Sequence, residues 1–203
     1  CRRKRRAMSA HELRQLLYVA TWRPLAEYGR LSVQKDKAEV KGTRDTWKAA
    51  PLTLDDLPAA IERARDRLKD NPAFLAKLQW RGRQRALVYK TLVLTGLRKG
   101  ELASLTVGQL ELDGPTAYAV LAAADEKTGK GADLPLRADL ANDMRLWLTD
   151  TLQATRDASG RADGQTVPMT GLPKTLPADT PLFNVPRQLL NALNRDLAVA
   201  CIP

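Results

Sequence analysis

The sequence predicts an α+β fold, mainly helical, with helices around a small antiparallel three-stranded sheet. Apolar residues recur at helical spacing in most segments before residue 106 and after residue 137. Between those regions the pattern changes to short extended runs separated by turn sequences. The 203 residues are 44% hydrophobic and 28% charged, which suits one globular domain with a real core, or one domain carrying a sizeable insertion.

The elements follow in order. Arg2, Arg3, Lys4, Arg5 and Arg6 make residues 1–8 a basic linker. Ser9 and Glu12 have capping-box spacing and open a helix with Leu13, Leu16, Leu17 and Ala20 on one face. Pro24 to Pro51 is polar and weakly periodic, so it reads as a long loop. Thr53 is expected to start a helix through Leu57, Ala60, Ile61, Ala64 and Leu68. Asn71-Pro72 looks like a cap and first helical residue of a short helix ending near Trp80. A separate helix is expected from about Gln84 to Leu94, stopped by Gly96, and another from Lys99 to Leu105. Gln109–Leu112 and Thr116–Ala123 read as strands around the turn Asp113-Gly114-Pro115. Thr128-Gly129-Lys130-Gly131 is a second turn, before a strand ending at Leu134-Pro135-Leu136. A helix is expected over Ala138–Leu152, loop over 155–180, and a last helix over Arg187–Cys201 with Leu189, Leu190, Leu193 and Leu197 on one side.

The net charge of +10 is uneven: residues 1–100 hold 24 Lys+Arg against 10 Asp+Glu, residues 101–203 hold 9 against 13. A basic half of that size favours a polyanionic partner, of which duplex nucleic acid is the commonest. Cys1 and Cys201 make no disulfide framework, and the single His11 excludes a His-rich metal site. No stretch approaches a membrane span and no apolar leader precedes the first helix, so a cytoplasmic protein is expected.

The most informative run is Thr95-Gly96-Leu97-Arg98-Lys99-Gly100-Glu101-Leu102-Ala103-Ser104-Leu105. It reads as a helix, a glycine stop and a new helix with an arginine at its start. A guanidinium there offers forked donors suited to two non-bridging phosphate oxygens. An arginine at a helix start is also, more often, an ordinary solvated residue. The run closely resembles the first catalytic-arginine box of tyrosine recombinases, the phage-integrase family. That resemblance implies that Arg98 clamps a scissile phosphate, with Glu101 supporting its surroundings and Lys99 beside it on the DNA.

The run Asp125-Glu126-Lys127-Thr128-Gly129-Lys130-Gly131-Ala132-Asp133-Leu134-Pro135-Leu136 is similar to the hairpin that follows the arginine box in that family. Resemblance implies a lysine general acid that protonates the leaving 5′ oxygen, Lys127 in preference to Lys130. Both are otherwise plain turn lysines. The pieces stand in family order, so the resemblance implies an integrase-like catalytic domain over 9–203, with an insertion at about 23–80. It further implies duplex DNA as substrate, cleavage through a 3′-phosphotyrosine, assembly as a multimer on DNA, and no metal or cofactor.

The family also needs a His-x-x-Arg pair, a His or Trp, and a nucleophilic tyrosine after the hairpin. None can be placed. His11-Glu12-Leu13-Arg14 precedes the arginine box, and Tyr18, Tyr28, Tyr89 and Tyr118 all precede the hairpin. The chain is therefore expected to stop short of them, to bind DNA, and to cleave nothing alone. The competing reading is a non-catalytic regulator using Gln84–Leu105 as a helix-turn-helix. A third is a basic helical interaction module that leaves DNA unbound.

Overall fold

Helix α1 (Ala10–Ala26) begins where its capping chemistry dictates. Ser9 Oγ accepts the Glu12 N–H at 3.1 Å, and the Glu12 carboxylate accepts the Ser9 N–H at 2.8 Å. The structure is a computed structural model that describes residues 7–36, 46–123, 130–160 and 174–203. It is mainly helical with small antiparallel sheets, and it divides into two compact units. One comprises Cys1–Ala86 with Arg187–Pro203, the other Leu87–Pro186.

In the first unit α1 runs past Pro24, where a loop is expected from the sequence. Pro24 removes one helical N–H, but complete burial of Leu25 and Ala26 in the following residues offsets that loss. A 3₁₀ turn (Glu27–Gly29) leads to β1 (Ser32–Gln34), which pairs antiparallel with β2 (Trp47–Ala49), so part of the expected loop is a hairpin. Helix α2 spans Leu57–Arg67 and starts four residues later than Thr53 suggests. Pro58 has no N–H to give Leu54, so a helix begun at Thr53 would lack a bond in its first turns. The Thr53 hydroxyl instead accepts the Asp56 N–H at 3.2 Å.

Helix α3 (Pro72–Thr95) is one element where the sequence predicts two. Asn71 Oδ1 accepts the Phe74 N–H at 3.1 Å, as its cap position implies. The expected break at Arg81-Gly82-Arg83 is absent because Gly82 serves packing: a Cβ there would lie 1.8 Å from the Thr21 carbonyl oxygen of α1. Helix α6 (Leu189–Val199) closes the unit and is shorter at both ends than expected. Leu189 is buried, but Leu190 is 66% exposed and does not join it. The core holds Leu16, Val19, Ala20, Leu25, Leu57, Ala60, Ile61, Ala64 and Leu78. Burial of each large aliphatic side chain is worth about 1.5–3 kcal/mol.

The second unit takes up α3 at Leu87. Gly96 ends the helix at φ 72°, a conformation that glycine reaches without strain. Helix α4 (Lys99–Ser104) follows, then the sheet β3 (Leu110–Glu111), β4 (Tyr118–Leu121) and β5 (Ala132–Pro135) in that order, all antiparallel. The register pairs Leu110 with Ala119 and Leu134 with Ala119, so Ala119 sits at the centre. Along β4, Ala119 and Leu121 are buried and Val120 is exposed, the alternation of a half-buried strand. Helix α5 (Ala138–Gly160) continues eight residues past the expected stop at Leu152. The polar extension keeps local support, with Gln153 donating to Asp157 at 2.8 Å and Thr155 to the Thr151 carbonyl at 2.9 Å. Leu140, Met144 and Trp147 bury its inner face. The Trp147 indole donates to the Leu182 carbonyl at 3.0 Å and packs on Phe183 at 6.0 Å. No helix among the described residues is long and apolar enough to cross a membrane.

Candidate functional site

The arginine run occupies the turn between α3 and α4. Thr95 fixes the exit of α3 twice, its hydroxyl donating to the Thr91 carbonyl at 2.6 Å and accepting the Leu97 N–H at 3.3 Å. Leu97, Leu102 and Leu105 are buried, so the short α4 is held by its apolar side. Arg98 is its N-cap in extended conformation, with φ −73° and ψ 153°.

Glu101 makes two contacts to the same residue. Its carboxylate accepts the Arg98 backbone N–H at 2.7 Å through Oε2, and the guanidinium Nη1 at 2.7 Å through Oε1. Glu101 is buried, whereas the Arg98 side chain is 61% exposed. A guanidinium has five donors, and Glu101 takes Nη1. The pair thus presents an oriented cation to solvent, able to accept an anion with two acceptor oxygens.

Lys99 and Lys130 are exposed, Lys130 beside Gly131 at φ 73° in the turn before β5. Lys127 and Arg2, Arg3, Lys4, Arg5 and Arg6 lie outside the described residues. Among the predicted site residues that are described, the structure brings Arg98 and Glu101 into contact.

Comparison with protein-family models, curated proteins and solved structures gave no match.

Part of the basic charge of the first hundred residues is engaged by the fold. Arg63 Nε donates to the Gly29 carbonyl at 2.7 Å and its Nη2 to both oxygens of Asp56. Arg67 donates to the Tyr28 carbonyl at 2.7 Å, and Arg30 to the Ala50 and Ala49 carbonyls at 2.6 and 3.0 Å. Arg23 and Asp196 form a buried ion pair, with Arg85 3.5 Å from the same carboxylate oxygen. Burial disfavours the Arg23 charge, but Asp196 and then Glu27 outweigh it, and its pKa lies above the ordinary arginine value.

In the second unit Lys90 bridges Asp139 at 3.0 Å and Asp143 at 2.6 Å. Burial opposes the Lys90 charge, yet the hydrogen bonds to Asp143 and Asp139 prevail and raise its pKa. A lysine so held keeps its proton and is a poor base. Sequence reading missed these clusters, because no local motif marks Arg23 or Lys90. Among the described residues no group of three His, Cys, Asp or Glu is placed to hold a metal. His11 is exposed in the first turn of α1, and Tyr89 is buried on α3.

Proposed function

We propose that the chain binds duplex DNA through the Arg98 turn, as part of an integrase-type catalytic domain whose parent protein cuts and rejoins DNA through a tyrosyl intermediate. The observation that carries this reading is the exposed Arg98 guanidinium tied to a buried Glu101, inside the run that resembles the recombinase arginine box. In this reading Arg98 directs its remaining donors at the two non-bridging oxygens of one phosphodiester. Glu101 fixes its orientation beforehand, which reduces the ordering needed on binding. By the same resemblance Lys127, between β4 and β5 in the sequence, is the general acid in preference to Lys130. Chemistry would require a nucleophile that none of the four tyrosines provides in the family's order, so the chain alone is expected to bind without cleaving.

The helix-turn-helix regulator has less support. The exposed positions of α4 are Lys99, Gly100 and Ala103, and of these Lys99 alone carries a side chain that can hydrogen-bond a base edge.

The test is an anisotropy titration against a duplex of arbitrary sequence at several salt concentrations. Arg98→Ala is expected to weaken binding by about tenfold and to lower the salt slope by about one phosphate, with the far-ultraviolet spectrum unchanged. Binding that is insensitive to salt, or indifferent to Arg98, would count against the reading. Strong preference for one duplex sequence would favour the regulator.

A further inference from the structure

Glu101 ties Arg98 to α4, so the aim of the guanidinium is set by how α4 leaves α3. Gly96 and Leu97 are the only residues between Thr95, the last of α3, and Arg98. Gly96 stands at φ 72°, and a Cβ built on it would meet nothing within 4 Å. No neighbour crowds this link, and glycine reaches both signs of φ at similar cost, so the link is conformationally free unless something pins it. The buried side chains of Leu97, Leu102 and Leu105 press α4 onto its unit. Apolar contact has no direction of its own and fixes an angle less well than a hydrogen bond does.

The pin is polar. The Gly96 N–H donates to the Leu92 carbonyl at 3.1 Å, the single-bond form of a left-handed helix stop. In the two-bond form the Leu97 N–H would take that Leu92 carbonyl. Here it donates to the Thr95 hydroxyl at 3.3 Å, across the glycine. The same hydroxyl donates its own proton to the Thr91 carbonyl at 2.6 Å, one turn back in α3. That donation fixes the proton and leaves a lone pair for Leu97. The other described helical threonines behave differently. Thr21, Thr91, Thr149, Thr151 and Thr155 each donate to the carbonyl four residues back, the ordinary habit of a threonine in a helix. Thr95 does this and also accepts from the residue that precedes Arg98.

We propose that Thr95 is a positioning residue, whose hydroxyl locks the Gly96 link and thereby aims the Arg98–Glu101 pair at the phosphodiester. The inference rests on the reading of Arg98 as the group that holds a duplex phosphate. It adds a residue that touches no substrate and acts through the guanidinium, by reducing what must be ordered when DNA binds.

The experiment is a double-mutant cycle on the full chain, read as anisotropy against a duplex of arbitrary sequence at one salt concentration. Beside the parent stand Thr95→Val, Thr95→Ser, Arg98→Ala, and Thr95→Val combined with Arg98→Ala. Valine keeps the branched shape without the hydroxyl, and serine keeps the hydroxyl. Thr95→Val is expected to weaken binding about threefold, a part of what Arg98 supplies. Thr95→Ser is expected to bind as the parent does. In the Arg98→Ala background Thr95→Val is expected to cost nothing further, because no guanidinium is left to aim. A threonine that served the fold alone would show no such coupling. Should Thr95→Val fail to fold, Thr95→Ala takes its place in the cycle, since it removes the hydroxyl without adding bulk. Parent-like binding by the hydroxyl-free variant, a serine variant as weak as valine, or a loss that persists undiminished without Arg98 would overturn the inference and leave the Arg98 reading standing. Arg98→Ala binding as tightly as the parent would overturn both.

Discussion

Asp196 has no exposed surface, and its carboxylate meets Arg23 and Arg85 in the first unit. Asp196→Ala would take from the buried Arg23 guanidinium its buried carboxylate and leave it Glu27, and breaking a buried pair in this way commonly costs about 3–5 kcal/mol. A urea melt should show that loss, and replacing Arg23 by Met in the same chain should restore a good part of it. Arg98 gives a milder expectation. Its guanidinium is largely in solvent and the buried Glu101 would keep the backbone N–H of residue 98, so Arg98→Ala should cost less, about 1–2 kcal/mol, while lowering affinity for DNA. The two arginines differ in legibility for the same physical reason. Arg98 and Glu101 are three residues apart at a helix start, where spacing alone predicts contact. Arg23 and Asp196 are separated by 173 residues, and no local pattern announces a partner at that distance.

Glycine at element scale shows what sequence periodicity can and cannot tell. Gly82 has the signature of a helix break, with a propensity penalty of about 1 kcal/mol, yet α3 passes through it because the missing Cβ lets α1 come close. Gly82→Ala is therefore expected to lower the unfolding free energy by about 1–3 kcal/mol or more, as overpacking does. Gly100 in α4 has nothing within 4 Å of a built Cβ, so Gly100→Ala should be neutral or stabilising by up to about 1 kcal/mol. Thermal melts of the two variants should move in opposite directions or differ by several degrees. Caps and stops were readable where one residue does the work: Ser9, Asn71 and Gly96 all act as their types imply. The three-stranded sheet was readable because turn residues separate its runs. The extents of α3 and α5 were not, because tertiary packing and local side-chain bonds carry those helices past their weak points.

For the whole molecule, charge is less of a guide than its total suggests. Arg23, Arg30, Arg63 and Arg67 hold carbonyls and carboxylates of the fold, so net charge overstates what faces a partner. Those interactions also set a pH response. Burial opposes ionisation of Glu27, but Arg30 and Arg23 overcome it and depress its pKa; Lys90 leads the causes that depress Asp139. Their stabilisation is present above the ordinary carboxylate range and is lost as pH falls through the lower folded values, so urea midpoints should drop below about pH 4. Lys90, raised from the ordinary lysine value, contributes fully below pH 10.5 and is lost as pH climbs through its higher folded value. Acid therefore acts on both units, since Glu27 lies in the first and Asp139 in the second, while this alkaline loss falls on the second alone. Trp147 emission, which reports the second unit, should shift at high pH in the parent chain and shift less in Lys90→Met.

Because Asp196 belongs to a unit whose other parts lie before residue 87, synthesis delivers that unit's pieces out of step. A nascent chain paused on the ribosome at Pro186 has every residue of the second unit, whereas Arg23 has Glu27 but still lacks the buried carboxylate of Asp196. The second unit can mature first, and α1 and α2 must wait, exposed to chaperones, until residues 187–203 emerge.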